Sequence, residues 1–283
     1  MIYWNPDPIL FEAGPLVLRW YSLCWSLGLL AAYVTVWRLY RRQGIGQDKF
    51  EPLFLYCFAG IFAGARLGHC LFYEPAYFLA HPLEIVLPLR QMPDGSWHLT
   101  GYAGLASHGG TAGLMLALWL YVRRTGVRLQ TVLDNIAIAT PVTAAFIRLG
   151  NLMNSEIVGK PTGGDWGFVF GRLREDFPRH PGQLYEALWY ALLFPVGLWL
   201  YRRHPGRVGT GYFFGWCLTS VFAFRFAVEF CKEVQEPWEL AMQEAVGLDQ
   251  GQLLSLPFVA LGLWCWIRAG RRGAGGPSAD MKK

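Results

Sequence analysis

Residues 20–40 read WYSLCWSLGLLAAYVTVWRLY, a run of apolar and small residues with one charge, Arg38, close to its end. A helix rises about 1.5 Å per residue and the hydrocarbon core of a bilayer is about 30 Å thick, so about 20 such residues cross it. The run reads as a membrane span, and Arg41, Arg42 and Lys49 follow it directly. Working outward, the same pattern of apolar run and basic cluster recurs. Further candidate spans are Pro52–Tyr73, Gly104–Val122, Val132–Ile147, Leu184–Tyr201, Gly209–Phe230 and Gln252–Ile267. The fourth is short and starts beside the polar pair Asp134 and Asn135. The expected fold class is an all-α polytopic membrane protein with about seven transmembrane helices.

Composition agrees. Of 283 residues, 53% are hydrophobic and 16% charged, and the mean hydropathy is +0.25. A soluble domain carries about 25% charged residues. The 13 Trp and 13 Tyr suit the membrane–water interface, where an apolar ring body and a polar handle are both satisfied. A net charge of +5 is no nucleic-acid signal here, because the basic residues sit in short clusters between apolar runs.

Those clusters set the orientation. Fifteen Lys and Arg lie at the end of or after the first, third, fifth and seventh runs, and seven lie in the other connections. The positive-inside rule places the first group in the cytoplasm, with the N-terminus outside and the C-terminus cytoplasmic. The outer-side loops are then the long ones, about residues 74–103 and 151–183. The first contains the turn Pro93-Asp94-Gly95, and the second is rich in Gly and Pro. Residues 270–283 read as a flexible cytoplasmic tail. No basic segment precedes the first apolar run, so no signal peptide is expected. Cys24, Cys57, Cys70, Cys217, Cys231 and Cys265 all lie in or beside apolar runs without a CxxC pair. They read as small buried side chains, with no disulfide framework and no metal site.

Ionisable groups within a bilayer are costly and usually face a cavity or a partner. Arg66, His108, Arg148, Arg225 and Glu229 are such groups. Each also has a plainer reading. Arg225 and Glu229, four residues apart, can form an ion pair on one helical face. Arg66 can snorkel to an interface, and His108 can be a satisfied polar residue. Gly109-Gly110 can simply let two helices approach. The densest polar segment is Arg148-Leu149-Gly150-Asn151-Leu152-Met153-Asn154-Ser155-Glu156. A re-entrant turn would want its Gly and Asn, but not its Arg and Glu. A guanidinium is a planar fork of donors suited to phosphate.

This segment resembles the signature of the prolipoprotein diacylglyceryl transferase family, Gly-Arg-x-Gly-Asn-x-x-Asn-x-Glu-x-x-Gly. The match holds at Arg148, Gly150, Asn151, Asn154, Glu156 and Gly159. Further segments fit in order. They are Arg19-Trp20-Tyr21-Ser22, His108-Gly109-Gly110, His180-Pro181-Gly182-Gln183-Leu184-Tyr185-Glu186, Phe224-Arg225 with Glu229, and Gly251-Gln252-Leu253-Leu254-Ser255-Leu256-Pro257. The resemblance runs from about residue 5 to 268. Two positions depart from the pattern. Ile147 stands where the signature begins with Gly, and Val221 stands where members often carry a Tyr.

The resemblance implies a multi-pass enzyme of the bacterial cytoplasmic (inner) membrane, with residues 1–269 as its catalytic domain. Such enzymes move the diacylglyceryl group of phosphatidylglycerol to the lipobox cysteine of a prolipoprotein signal peptide, leaving a thioether and glycerol phosphate. The implied partners are that lipid, that peptide and the bilayer, with no nucleic acid. No cofactor is implied. The chemistry needs a thiolate, a held phosphate and a glyceryl carbon brought near the sulfur. His108 is the expected base, and Arg148 and Arg225 the phosphate clamp. Asn151, Glu156 and Glu229 would orient those groups, and Tyr21 would bond the lipid head. Arg66, Gly109, Asn154 and Tyr185 complete the expected substrate-binding set. A seven-span transporter or receptor would also hold intramembrane charges, but would line a path to both faces. An intramembrane protease would need a Ser–His or paired-Asp arrangement, and neither is visible.

Overall fold

In a computed structural model of the chain, residues 1–14, 16–92, 95–99, 104–233 and 246–273 are described. Pro93 and Asp94 of the expected turn, and the tail beyond Gly273, lie outside the described residues. The chain is a mostly helical polytopic membrane protein. Its long helices are α1 (Trp20–Arg42), α2 (Gln47–Phe72), α5 (Ser107–Thr125), α6 (Leu129–Asn154), α7 (Gly182–Arg203), α8 (Tyr212–Glu229) and α9 (Gln250–Gly273). Five of them, α1, α2, α6, α7 and α9, are long and apolar enough to cross a membrane. Short helices α3 (Pro75–Ala80) and α4 (Leu83–Val86) lie between α2 and α5.

Most helices overrun the apolar runs that announce them. α2 starts five residues before Pro52, which the structure places inside the helix. α6 continues through Arg148, Gly150 and Asn151 to Asn154. The first residues of the expected loop after the fourth span are therefore its last turns. α9 remains helical to Gly273. Among the described residues, the all-α expectation also omits six short strands. β1 (Ile2–Trp4) pairs in parallel with β6 (Phe168–Phe170). β2 (Ile9–Ala13) pairs antiparallel with β3 (Leu16–Arg19), and β4 (Leu89–Gln91) with β5 (Trp97–Leu99).

The chain forms two compact units, one from Met1–Leu39 with Gln130 onward, the other from Tyr40–Leu129. In the first, the core joins Leu39, Ile138, Tyr201, Tyr212, Phe213 and Ala269. A second cluster joins Ala137, Ala145, Tyr190, Leu193, Trp216 and Cys217, with Val221 packed against it. Close helix approach rests on glycine. A Cβ at Gly28 of α1 would lie 3.0 Å from Phe146 Cβ of α6, and one at Gly215 of α8 would lie 2.7 Å from the Gly262 carbonyl of α9. Asp134, fully buried on α6, accepts the backbone N–H groups of Gly209 (2.9 Å), Gly211 (3.0 Å) and Phe214 (2.8 Å). These donors open α8 and have no partner within the helix.

The second unit is built on α2 against α5. A Cβ at Gly60 would come within 2.6 Å of the Gly113 carbonyl, and one at Gly68 within 2.7 Å of Gly109 Cα. Two stripes of small residues thus face each other, and backbone packs on backbone. Tyr121 at the far end of α5 donates to the Lys49 carbonyl at 2.9 Å.

Candidate functional site

The site in the first unit grows from the C-terminal end of α6. This helix closes with Glu156 N–H donating to the Asn151 carbonyl (3.0 Å) and Ser155 N–H to the Leu152 carbonyl (3.1 Å). This is the paired-bond helix stop that needs a left-handed residue one position past the cap. Ser155 fills that position at φ 56°. A non-glycine residue held there costs on the order of 1–3 kcal/mol, and such strain gathers at functional sites. The reversal returns Glu156 over the last turn of α6. Its carboxylate accepts from Asn151 Nδ2 (3.2 Å) and Asn154 Nδ2 (3.0 Å). Gly150 makes room for α1, since a Cβ there would meet Tyr21 Cδ2 at 2.8 Å. Gly159 sits where three segments cross, its missing Cβ directed at the Cys231 carbonyl (2.5 Å) and His180 (2.6 Å).

Arg148 shares a helical face with Asn151 and gives Nη1 to its Oδ1 at 3.3 Å. Its other edge meets Glu186 of α7, with Nε 2.9 Å from Oε2 and Nη2 3.3 Å from Oε1. Glu186 is fully buried. It also accepts from Tyr190 Oη at 3.2 Å and lies 3.1 Å from Lys232 Nζ. Lys232 is 5% exposed and reaches Glu229 of α8 at 3.3 Å. A chain of alternating charge, Arg148–Glu186–Lys232–Glu229, thus ties α6, α7 and the end of α8. Leaving either partner of a buried pair uncompensated costs about 3–5 kcal/mol.

Beside this chain is a cavity of about 210 Å³ lined by Arg148, Arg225, Glu229, Lys232, Asp249 and Gly251, among others. Asp249 caps α9, accepting from Gln252 N–H at 2.8 Å while Gln252 Oε1 accepts from Asp249 N–H at 3.1 Å. Gly251 admits the Glu229 side chain, whose Cδ would lie 2.5 Å from a Cβ at that position. Arg225 is half-buried and lines the cavity. Among the described residues it makes no ion pair; Glu229 pairs with Lys232 instead. The plain reading of Arg225 and Glu229 as an ion pair on one helical face is therefore corrected. The cavity thus presents a guanidinium that, among the described residues, makes no ion pair, next to a second whose fork is partly taken.

The remaining expected residues divide. Tyr185 Oη lies 3.2 Å from His180 Nδ1. Outside the helices, Arg179 is buried and bonds Glu175 (2.6 Å), Glu233 (2.7 Å) and the Gly159 carbonyl (3.1 Å). Its hydrogen bond holds the Glu175 carboxyl below the usual range. Arg66, His108 and Gly109 belong to the second unit. Arg66 is buried and gives Nη2 to the Glu84 carbonyl (2.6 Å) and Nε to the Ile85 carbonyl (3.2 Å), with its guanidinium 4.8 Å from the Phe78 ring centre. These bonds anchor the segment after α2, in place of the snorkelling that the plainer reading expected. Gly109 packs on Gly68, which is the packing reading of the glycine pair. His108 is exposed at the start of α5, with its ring 5.8 Å from those of Tyr73 and Phe72.

Sequence reasoning missed Glu186 and Lys232 as site residues. Glu186 was visible as the last residue of the His180–Glu186 motif, but Lys232 looked like one more loop cation.

The chain was compared with known proteins. The family model described as prolipoprotein diacylglyceryl transferase matches residues 8–268. A phosphatidylglycerol–prolipoprotein diacylglyceryl transferase of Bacteroides fragilis is 52% identical over 271 residues, covering 96% of each chain. Proteins of the same name from Porphyromonas gingivalis and Tolumonas auensis are 45% and 43% identical. The first match covers 95% of this chain and 94% of the relative, the second 93% and 95%. With a family match over residues 8–268 and relatives of this similarity, the chain belongs to the prolipoprotein diacylglyceryl transferase family.

Proposed function

We propose that this chain transfers the diacylglyceryl group of phosphatidylglycerol to the lipobox cysteine of a prolipoprotein. The cysteine proton leaves to a base, the thiolate sulfur bonds the terminal glyceryl carbon, and the carbon–oxygen bond to phosphate breaks. The products are a thioether and glycerol phosphate. The observation that carries the reading is the cavity in which Arg225, free of ion pairs among the described residues, stands with Arg148. A lipid phosphate is the natural anion for guanidinium groups within a membrane protein, and the charge that grows on it as it leaves is what they stabilise.

In this reading Arg225 and Arg148 hold the phosphate, and Asn151, Glu156 and Glu229 keep the clamp in place. Asn154 fixes Glu156, while Tyr21 and Tyr185 bound the lipid head. His108, exposed at the start of α5, takes the thiol proton. The seven long helices serve as seven spans of the bacterial inner membrane, N-terminus outside and C-terminus cytoplasmic. The clustering of charges at the end of α6, the start of α7, the end of α8 and the start of α9 supports an enzyme site. A transport path would need them spread along the helices.

Lysine substitution tests the clamp. An ammonium keeps the charge but loses the planar fork. Arg225→Lys and Arg148→Lys should each slow transfer about a hundredfold or more, since one lost charge-assisted donor to a developing charge is worth on the order of 2.7–4 kcal/mol. Transfer rate and membrane level are measured together. Near-full activity in both variants would remove the phosphate clamp.

A further inference from the structure

Glu186 has no role in the reaction as written, yet it is the most deeply buried charge of the site, with no exposed surface. It meets two cations, Arg148 and Lys232, and both line the cavity. We infer that Glu186 is a positioning residue that fixes the Arg148 guanidinium with one edge toward the cavity, and a counter-charge that keeps the site from retaining glycerol phosphate. This rests on the phosphatidylglycerol reading above.

The argument for positioning is a count of donors. A guanidinium has five N–H groups. Glu186 faces the edge formed by Nε and Nη2: Nη2 donates to Oε1 at 3.3 Å, while Nε stands 2.9 Å from Oε2 as an ion-pair contact without a hydrogen bond, and Asn151 takes one hydrogen of Nη1 at 3.3 Å. Two N–H groups remain, one on each Nη. With Asn151 on the outer hydrogen of Nη1, these two make up the end-on edge of the fork, the edge that can give two parallel bonds to one phosphate. A side chain with four rotatable bonds would otherwise sample many orientations. Clamping its inner edge on a buried carboxylate presents the outer edge ready-made, and preorganised donors stabilise a developing charge without reorganising.

Three cations line the cavity, Arg148, Arg225 and Lys232, together with three carboxylates, Glu229, Glu233 and Asp249. Without Glu186, Arg148 and Lys232 would each lose their nearest carboxylate, Lys232 keeping only Glu229 at 3.3 Å, and would hold a phosphate dianion more tightly. Substrate carries a phosphodiester with one negative charge, whereas the product monoester carries close to two near neutral pH. A less compensated site therefore shifts the balance toward product over substrate. Sharing Glu186 between Arg148 and Lys232 weakens the ground-state hold on both anions, and on the product most.

The prediction is an unusual pair of signs. Glu186→Gln should lower kcat and, at the same time, lower the inhibition constant of glycerol phosphate about tenfold, because the site binds product more tightly. Glu186→Asp should restore part of kcat and return the inhibition constant toward wild type. Lys232→Gln should move it the other way and raise it. A residue that only supports the fold would reduce the amount of active protein without lowering that constant. The measurement uses the full-length protein in detergent–lipid micelles, phosphatidylglycerol, a lipobox peptide and added glycerol phosphate. An unchanged or raised constant in Glu186→Gln overturns the inference. If that variant does not accumulate, an unchanged constant in Lys232→Gln overturns it instead. No transfer by the wild-type protein would be a failure of the functional reading, recognisably different from wild-type transfer with unmoved constants.

Discussion

His108 and Arg148 illustrate what single residues can and cannot announce. Arg148 stands out in the sequence because it interrupts an apolar run and is followed by two amides and a carboxylate, and the structure brings all four together. Its strongest partner was not legible. Glu186 is 38 residues away, and no local pattern pairs two charges on different helices. Lys232 hid for the opposite reason. A cation just after a span is usually a solvated flank, and only the fold shows it buried between two carboxylates. Arg66 carried the same outward signal as Arg148, a lone charge among apolar residues, but it gives hydrogen bonds to the Glu84 and Ile85 carbonyls of α4. His108 is exposed and, among the described residues, bonded to no polar group, as a base awaiting a thiol would be. His108→Ala should slow transfer near neutral pH. Raising the pH toward the thiol pKa of about 8.5 should restore part of the rate, because more of the peptide then arrives as thiolate. A pH–rate profile of the purified variant decides this, and full activity at neutral pH would assign the base elsewhere.

At the scale of elements, the apolar runs located every long helix but misplaced their ends. Hydropathy reports where a helix meets lipid, whereas the end of a helix is set by what satisfies its last backbone groups. α6 illustrates this. Gly150, Asn151 and Asn154 look like turn residues, so the helix was expected to stop at Ile147. In the structure Gly150 admits Tyr21 of α1, and the two amides serve Glu156, which leaves the helix free to continue. Asp134 shows the same limit at the start of α8. It blurred the fourth span in the sequence because a carboxylate within an apolar helix looks like an edge. Its actual role is to receive three backbone N–H groups of another helix. Asp134→Ala would leave those donors buried and unpaired, at about 1–3 kcal/mol for each one that finds no water. We expect a clearly lower melting temperature in detergent and reduced accumulation. An unchanged melting temperature would show that the cap contributes nothing.

At the scale of the whole molecule, the expected orientation rests on the distribution of charge. Three helices end on the same device, an arginine over a tryptophan one turn earlier. Arg123 lies 4.9 Å from the Trp119 ring, Arg203 5.7 Å from Trp199, and Arg268 4.9 Å from Trp264. Trp37 and Arg41 carry the same spacing in α1. Tryptophan at the head-group level with a snorkelling arginine beyond it suits a cytoplasmic interface. Reporter fusions after Arg42, Arg124 and Arg203 should therefore read cytoplasm, and an insertion near Asp165 should read the outer face. A cytoplasmic reading at Asp165 would put the Arg148 cavity on the wrong side for a secreted substrate. What the intact molecule does is tested most directly by giving the purified protein phosphatidylglycerol and a lipobox peptide, and weighing the peptide. The account predicts that the cysteine peptide gains the mass of one diacylglyceryl group while glycerol phosphate appears in equal amount, and that a peptide with serine in place of that cysteine gains nothing. No mass gain on the cysteine peptide, or equal gain on both, would contradict it.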